Sequence, residues 1–481
     1  MENFTFLLDE KQQRILALLR LYLKADPVRL DLDTLRANLG LSIYQLHQLM
    51  EDVLEILDEQ KMVQVEYNSN KGLLITGLNT KVIKIVTANL AKKSIRLKVF
   101  LHEFLGSPKN HKKLLKEIGL SRSSFYQIRE NVLSEISVEV HPKTLGQEMQ
   151  LRYFILNVLF YFSLDLFFVK GQKQQQVKKT FRVVVLNWQL TLSNTQRKQL
   201  FYFLAIQFLR TSQTRKEFLN DDSSLILKNH RLSKLITHFC KQWNLSSKTA
   251  TNEALFLNSF LALDGFVLYE EKIPLVNFDD AKKLTKQQLQ LISNKLHKSI
   301  TAETYPNFTR GLFLINSRSL SPFFFINTFI RPDEVPYFKE TYPMVNNIAF
   351  GFIKLRSHFN VQLLSTEEVT QLYYSYVFQI LNETETTDFT DTVNITVDFS
   401  QGVVYTKYIL NQLKQFDHLN ISINKALNNA TDLYLSDTYD PALKKLQVIW
   451  ENPPLALDWA LLGNMIVKIK NEKNKGSEKH E

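Results

Sequence analysis

The sequence repeats one helix-turn-helix pattern, centred first on Gly40 and then on Gly119. Eight positions at equal offsets from the two glycines are apolar in both copies. They are Leu35, Leu39, Leu41, Leu46, Leu49, Val53, Leu54 and Leu57 in the first copy, and Leu114, Ile118, Leu120, Phe125, Ile128, Val132, Leu133 and Ile136 in the second. This spacing predicts a short helix that ends at a glycine with positive φ, a tight turn, and a second helix.

The residues around each glycine fit the same arrangement. Ser42 and Ser121 follow the glycines by two positions, where a hydroxyl can cap the N-terminus of the second helix. The apolar residues of that helix recur on one face, which leaves the opposite face available to a DNA groove. Further helices are predicted before the two copies, at residues 9–24 and 80–104.

Each copy is followed by segments that predict a β-hairpin, because β-branched residues alternate around turn-forming residues. The first hairpin is predicted at 61–67 and 73–76 with a turn at 68–72, and the second at 137–140 and 148–151 with a turn at 141–146. A single helix pair is equally typical of an αα-hairpin. Two matched copies with hairpins favour two winged helices, at residues 1–78 and 79–155.

The two copies differ in charge. Residues 1–78 contain 8 basic residues (Lys and Arg) and 12 acidic residues (Asp and Glu), which gives a net charge of −4. Residues 79–152 contain 14 basic and 6 acidic residues, which gives a net charge of +8. The whole chain carries +11, which favours a polyanionic partner without locating it. Because DNA phosphates attract Lys and Arg, the second copy is predicted to make the main contact with double-stranded DNA.

Candidate DNA contacts come from the polar positions of both copies, although each is also typical of a solvated helix face. Those on the second helix of the basic copy are Arg122, Ser123, Ser124, Tyr126, Gln127 and Arg129. Arg and Gln can bond base edges in pairs, and Ser or Tyr can reach phosphates. Further basic candidates are Lys112, Lys113 and Lys116 on the preceding helix, and His141 and Lys143 on the second hairpin. In the acidic copy the candidate contacts are Tyr44, Gln45 and Gln48. The residues that follow them, Glu51, Asp52 and Glu55, would repel DNA phosphates.

The tandem helix-turn-helix units are closed by the segment 145–154, LGQEMQLRYF. In this region the chain resembles the Mga/AtxA family of Gram-positive bacterial global and virulence regulators. The specific motifs extend to about residue 155, and the rest agrees in the order of modules. The resemblance implies two central helical domains regulated by the sugar phosphotransferase system, a C-terminal domain similar to enzyme IIB, and self-association as a homodimer or higher homo-oligomer. It also makes phosphotransferase proteins candidate partners.

The middle of the chain, residues 156–388, has Leu, Phe and Tyr at helical spacing, and it predicts long helices at 199–210 and 367–381. A boundary near residues 273–280 divides it into helical domains at 156–275 and 276–388. The resemblance directs attention to histidines as phosphoacceptors, and the candidates are His230, His238, His297 and His358. None has the expected surrounding motif, and each is also typical of an ordinary surface or core histidine, so the sequence does not favour phosphorylation.

The C-terminal part, residues 389–470, changes to an α/β pattern with a parallel sheet. Strands are predicted at 393–399, 419–423, 432–435 and 447–450, and helices at 403–416 and 457–470. Ser400 lies after the first strand, where phosphorylating enzyme IIB relatives have a cysteine, so an assembly role is expected rather than phosphate transfer. The polar segment 471–481 is predicted to be disordered.

Composition indicates a mainly α, multidomain protein without catalytic or cofactor chemistry. The only cysteine, Cys240, excludes an internal disulfide framework and a multi-thiolate metal site. No secretory leader is recognised at the start, so a cytoplasmic location is expected. The apolar stretch 152–170 contains polar residues and predicts a buried core helix rather than a membrane span. Phosphate-binding loops, dinucleotide fingerprints, zinc-protease motifs and serine-hydrolase motifs are absent from the sequence.

The preferred interpretation is therefore a DNA-binding transcriptional regulator. One alternative is a replication initiator built on tandem winged helices, for which the long helical middle and the α/β C-terminus are unexpected. A second alternative is an RNA-binding antiterminator with similar regulatory domains, but such proteins begin with a small β-rich RNA-binding module rather than helix-turn-helix units.

Overall fold

The computed structural model describes residues 4–24, 30–58, 63–68, 72–106, 111–164, 171–213, 230–267, 278–321, 335–359, 364–384, 391–414, 419–424, 426–451 and 453–478. The chain is mainly helical, with a small sheet in its C-terminal part, as the composition predicts. It divides into two compact units, Met1–Pro274 and Leu275–Glu481. This division falls where the sequence predicts a boundary, within residues 273–280.

The first unit begins with a helix, a helix pair and a hairpin. These elements are α1 (Glu10–Lys24), α2 (Leu32–Leu39), α3 (Ile43–Asp58), β1 (Gln64–Asn68) and β2 (Gly72–Thr76). The two strands pair antiparallel with Val65 opposite Ile75, which confirms the first predicted hairpin, although residues 69–71 of its turn lie outside the described residues. The Tyr22 hydroxyl donates to the Leu73 carbonyl at 3.1 Å, so the hairpin is held against α1.

The segment 80–104, expected as one helix, forms two. They are α4 (Thr80–Lys93) and α5 (Ile95–Leu105). Ser94 between them is extended, and its Oγ accepts the N–H of Leu97 at 3.2 Å while donating to the Leu7 carbonyl at 2.8 Å. The Asp9 carboxylate accepts a further N–H of the new helix start. The helix breaks here because these oxygens satisfy amides that a continuous helix would bond internally.

The next helices are α6 (His111–Ile118), α7 (Arg122–Ser134) and α8 (Leu145–Tyr161). The second hairpin prediction is wrong, because residues 137–144 form no strand and residues 148–151 lie within α8. Thr144 and Gln147 form a capping box, in which the Thr144 side chain accepts the Gln147 N–H and the Gln147 side chain accepts the Thr144 N–H. This start signal outweighs the β-like alternation of the segment.

The first unit ends with four described helices. They are α9 (Gly171–Trp188), α10 (Asn194–Gln213), α11 (His230–Trp243) and α12 (Ser247–Leu263). The helix predicted at 199–210 is confirmed by α10, which packs against α8. The boundary predicted at residue 155 falls inside α8, so this helix is shared by the two expected domains. In the described part of the chain, none of the helices combines the length and apolar character needed to cross a membrane.

The second unit begins with helices that surround an apolar core. They are α13 (Phe278–Leu296), α14 (Pro306–Ser319), α15 (Val335–Thr341), α16 (Pro343–Ser357) and α17 (Thr366–Glu383). Ile292, Phe308, Phe352 and Tyr376 are fully buried in this core. The Tyr376 hydroxyl donates to Asn316 Oδ1 at 2.7 Å, so a buried polar group is satisfied. The helix predicted at 367–381 is confirmed by α17.

The second unit ends in an α/β arrangement whose elements agree with the predicted order. They are β3 (Val393–Asp398), α18 (Val403–Leu413), β4 (Ile421–Asn424), β5 (Leu433–Ser436), β6 (Leu446–Ile449) and α19 (Ala456–Glu478). The strand order is β4-β3-β5-β6 and all pairs are parallel, which confirms the predicted parallel sheet. Ile395 lies opposite Ile423 on one side and Leu433 on the other.

The last helix is longer than the sequence predicts. α19 continues to Glu478, so the disorder expected over residues 471–481 is wrong for 471–478, and residues 479–481 lie outside the described residues. Lys473 Nζ donates to the Thr392 carbonyl at 2.7 Å and lies 2.5 Å from Asp432 Oδ2. Buried Lys470 lies 3.6 Å from Asp391 and donates to the Thr341 carbonyl. These contacts stabilise a segment whose composition alone suggests a solvated tail.

Candidate nucleic-acid interface

Both helix pairs turn at their glycines in the predicted way. Gly40 has φ +62° and Gly119 has φ +69°, and a Cβ built at either position meets nothing within 4 Å. The glycines are therefore required for backbone conformation and not for close packing. Ser42 Oγ accepts the Gln45 N–H at 3.2 Å, and Ser121 Oγ accepts the Ser124 N–H at 3.1 Å. The serine caps expected from the repeat are thus confirmed in both copies.

Helix α7 presents one polar surface to solvent, which we call the α7 face. It consists of Arg122, Ser123, Tyr126 and Gln127, all of which are exposed. Phe125 between them is 1% exposed, and α7 packs against α5. The Tyr126 ring is half exposed, at 51%. The first two turns of α7 therefore place a cation, an amide and a phenol side by side at the start of a helix.

The hydroxyls of Ser123 and Ser124 are part of the cap of α7. Each lies 2.9 Å from Ser121 Oγ, and Ser124 is less exposed than Ser123. The three serines thus form a small hydrogen-bonded cluster at the helix N-terminus. An oxygen of a phosphate group placed there would meet hydroxyl and amide donors together.

Arg129 does not belong to the α7 face, contrary to expectation. Its Nε and Nη2 donate to Glu103 Oε2 and Oε1 of α5, at 2.8 and 2.6 Å. The Arg129 hydrogen bonds lower the pKa of Glu103 despite partial burial, so the pair is ionised at neutral pH. Arg129 is about three-quarters buried, and the bidentate pair fastens α7 to α5. In the structure its guanidinium is thus bound to Glu103, and its predicted DNA contact stays a prediction.

The remaining basic candidates near α7 have different positions. Lys116 on α6 is exposed. Lys143 is exposed in the segment before α8, as is His141, but this segment is not the strand-flanked turn that was expected. Lys112 and Lys113 lie in α6, and their side chains lie outside the described residues.

The acidic copy exposes its candidate residues on the first turns of α3. Tyr44 is 74% exposed, and Gln45 and Gln48 are also exposed. Gln45 Oε1 accepts the Ser42 N–H at 3.0 Å, so part of this amide is used in the cap. Glu51 and Glu55 follow on the exposed side of the next turns, where they would repel phosphates.

A buried ion-pair network lies behind α7 and was not predicted. It consists of Glu148 on α8, Arg152 on α8, Arg210 on α10 and Glu253 on α12, with side chains between 0% and 6% exposed. Glu148 accepts Arg152 Nε at 2.8 Å and Arg210 Nη2 at 2.7 Å. Arg152 donates to both oxygens of Glu253, at 2.7 and 3.0 Å. The network is electrically neutral, with two acids and two arginines.

The network is linked to α7 through α5. Arg210 Nη1 donates to the Phe104 carbonyl at 3.3 Å, and the adjacent residue, Glu103, binds Arg129 of α7. Hydrogen bonds and the backbone of α5 between Phe104 and Glu103 therefore connect α12 to α7. The sequence signal was the pair Glu148 and Arg152, spaced by four residues inside an otherwise uncharged helix, which should have indicated a buried pair.

The candidate phosphoacceptor histidines are scattered. His230, His297 and His358 are exposed at or near helix ends. His238 is partly buried on α11, and its Nε2 lies 2.9 Å from Thr180 Oγ1. Burial lowers the pKa of His238, so this ring is neutral at pH 7. The structure brings none of the four into contact with another.

The loop after β3 has a carboxylate close to the position of the expected phosphoryl site. The Ser400 N–H donates to Asp437 Oδ1 at 2.8 Å, and Ser400 Oγ donates to Asp437 Oδ2 at 2.6 Å. A phosphoryl group needs such N–H donors and is repelled by a carboxylate. The Asp437 carboxylate therefore makes this loop unfavourable for a phosphoryl group.

Comparison with known proteins assigns no relative. No protein-family model matches the sequence, and no curated protein matches it either. The candidate interface is a capped helix that presents Arg122, Ser123, Tyr126 and Gln127 on one exposed face.

Proposed function

We propose that the chain is a DNA-binding transcriptional regulator of the Mga/AtxA type, whose α7 face contacts double-stranded DNA. The observation that carries the proposal is the α7 face itself, at the start of the second helix of a glycine-turned, serine-capped helix pair. This surface lies in the stretch 79–152, which has a net charge of +8. Arg96, Arg129 and Arg152 each form an ion pair with a glutamate of the same stretch. Each pair removes one positive and one negative charge, so the net charge of the remaining residues is still +8.

The residues of the α7 face suit the two kinds of DNA contact. Arg122 has paired donors that bind a guanine edge or a phosphate, and Gln127 has the donor and acceptor that bind an adenine edge in the major groove. Ser123 and Tyr126 have hydroxyls that suit phosphates, and Lys116 and Lys143 supply charge nearby. Helix α3 would add contacts only from its first turn, because its later turns are acidic.

The proposal extends to the arrangement of modules. Elements α1 to α3 with β1 and β2 form a winged helix, whereas α5 to α7 form a helix-turn-helix in which an irregular segment replaces the wing. The helices of residues 156–275 and 276–388 are proposed as phosphotransferase-regulated domains, and the α/β part as an enzyme IIB-like assembly domain. A cytoplasmic homodimer or larger oligomer, with phosphotransferase proteins as partners, completes the proposal.

Footprinting tests the function directly. The purified full chain is incubated with duplex fragments from upstream regions of its own genome, and hydroxyl-radical cleavage is mapped. Protected sites that resist competition by RNA hairpins are expected, together with altered reporter transcription. Protection lost to RNA competitors favours an antiterminator, and a response in plasmid copy number without a transcriptional response favours a replication initiator. Absence of protection on every fragment contradicts the proposal.

A further inference from the structure

The second unit contains a cavity that the DNA-binding proposal does not use. It has a volume of about 720 Å³ and lies between α13, the segment that begins at Ile300, and the first turns of α14. This volume is in the range of small-molecule sites, about 300 to 1,000 Å³. We call it the α13–α14 cavity.

The floor of the α13–α14 cavity is apolar. Leu289 and Ile300 are 9% and 2% exposed and belong to the helical core of the second unit, and Phe313 contributes a ring from α14. The cavity surface is therefore suited to a hydrocarbon or aromatic group. A polar group placed against Leu289 and Ile300 would lose hydrogen bonds to water without replacement, whereas Gln290, Asn294 and Thr301 make other parts of the lining polar.

The rim of the cavity is cationic. Lys282 and Lys286 lie one helical turn apart on α13, Arg310 lies on the first turns of α14, and all three are exposed. Within the described part of the chain, no carboxylate lies within ion-pair distance of any of them. Lys283, between the two lysines in sequence, instead pairs with Asp280 at 3.8 Å. The Lys282 ammonium lies over the Phe278 ring, 5.9 Å from its centroid. Positive charge without a carboxylate partner among the described residues is thus concentrated on the side of α13 that lines the cavity.

One polar atom in the cavity also lacks a partner. Thr309 lines the cavity, and its Oγ1 is buried without a hydrogen bond to any described residue. A buried hydroxyl without a partner is uncommon in proteins, because leaving it unsatisfied costs free energy. Because this oxygen has almost no accessible surface, it does not supply a ligand contact in the side-chain position seen here.

We propose that the α13–α14 cavity binds a small amphipathic organic anion, with its carboxylate or phosphate at Lys282, Lys286 and Arg310 and its apolar body against Leu289 and Ile300. The three cations supply the charge-assisted contacts, and the apolar floor supplies burial. This inference goes beyond the proposed DNA binding and does not depend on it. Such a site would let a metabolite act on the second unit.

The test is calorimetric titration of the full chain, without DNA, with four probes. Octyl phosphate and octanoate are the amphipathic anions, octanol is the neutral match, and inorganic phosphate is the head group alone. One octyl phosphate or octanoate per chain is expected to bind, with octanol and inorganic phosphate at least about tenfold weaker. Equal affinity for octanol, equal affinity for inorganic phosphate, or no binding of either anion overturns the proposal.

Substitutions test whether octyl phosphate binds in the α13–α14 cavity. Lys286→Met and Arg310→Met remove the charge and keep the apolar stem, so each is expected to weaken octyl phosphate binding about tenfold or more. Lys283→Met is the matched control and is expected to leave the affinity unchanged. Ala302→Trp, at an exposed position that lines the cavity, is expected to abolish binding by filling it. Unchanged affinity in both Met variants at positions 286 and 310 overturns the proposal, whatever the Trp variant does.

Discussion

Replacing Glu148 by Gln tests the role of the buried ion-pair network in the first unit. The change keeps the size and shape of the side chain but removes the only charge that faces both Arg152 and Arg210 within the network. The network then changes from neutral to a net charge of +1, at side chains that are at most 6% exposed. An uncompensated buried charge of this kind costs about 3 to 5 kcal/mol in free energy of unfolding.

This magnitude separates a buried network from a surface pair. An exposed ion pair contributes about 0 to 1 kcal/mol. For a unit of this size each 1 kcal/mol shifts the melting temperature by roughly 2 to 4 °C, so Glu148→Gln is expected to lower it by roughly 6 to 20 °C. A surface role predicts a shift of no more than about 4 °C.

The assay needs a signal from the first unit alone. The chain has four tryptophans, of which Trp188 and Trp243 are in the first unit and Trp450 and Trp459 in the second. In a background with Trp450→Phe and Trp459→Phe, urea unfolding followed by tryptophan emission reports the first unit. Glu148→Gln is expected to shift the urea midpoint to lower concentration with little change in slope.

A double variant provides the control. Glu148→Gln combined with Arg210→Met leaves one neutral pair, Arg152 with Glu253, so the double variant is expected to be more stable than the sum of the two single losses predicts. Strict additivity of the two losses, or a loss below about 1 kcal/mol for Glu148→Gln, refutes the network account.

The same network predicts a dependence on acid. Burial alone would raise the pKa of Glu148, but the charges and hydrogen bonds of Arg152 and Arg210 outweigh it and lower the pKa. The stabilisation by this carboxylate is therefore present above its unfolded pKa of about 4.3 and is lost as the pH falls through the lower folded pKa. The stability difference between the native chain and Glu148→Gln is expected to narrow below about pH 4.3 in urea titrations. A constant difference down to pH 2.5, well below about 4.3, contradicts this assignment.

Further variants test three local features of the helix pairs, the glycine turns, a serine cap and an interhelical ion pair, by urea midpoint. Gly119→Ala and Gly40→Ala are each expected to lower the free energy of unfolding by about 1 to 2 kcal/mol, because both residues have positive φ. An unchanged midpoint would contradict the turn geometry. Ser121→Ala is expected to cost about 1 kcal/mol through loss of the helix cap, and Ser121→Asp should restore it. Arg129→Met is expected to lower the free energy of unfolding by about 1 to 2 kcal/mol, because Glu103 loses its partner. This value lies between those for exposed and buried ion pairs. An unchanged midpoint would mean that Arg129 is solvated and does not stabilise the fold.

The sequence predicts the parts of the fold that depend on local signals. The glycine turns, the serine caps, the first hairpin and the succession of strands and helices along the C-terminal part follow from residue type and spacing. The error at residues 148–151 arose because Glu148 to Leu151 alternates like a strand, while the capping box at Thr144 and Gln147 starts a helix. The break at Ser94 depends on Leu7 and Asp9, which are distant in sequence, so spacing near residue 94 does not reveal it.

The candidate interface was predicted only in part, for a similar reason. Exposure of Arg122, Tyr126 and Gln127 follows from helical periodicity, because Phe125 must be buried. The partner of Arg129 is Glu103 on another helix, and periodicity does not indicate which cation will pair across helices. The cavity at α13 and α14 was not predicted, because its cations and apolar floor meet only after the two helices pack.

The most direct test of the account is the salt dependence of DNA binding by Arg122→Gln. Fluorescence anisotropy is measured with a duplex of about 30 base pairs, roughly three helical turns, over a series of salt concentrations. The matched control is Arg182→Gln, an exposed arginine on α9 with the same change in charge. Arg122→Gln is expected to lower affinity about tenfold and to reduce the slope of log affinity against log salt by about 1, while the control matches the native chain. Superimposable curves for the native chain and Arg122→Gln, or an equal loss in the control, would contradict the assignment of the α7 face to DNA.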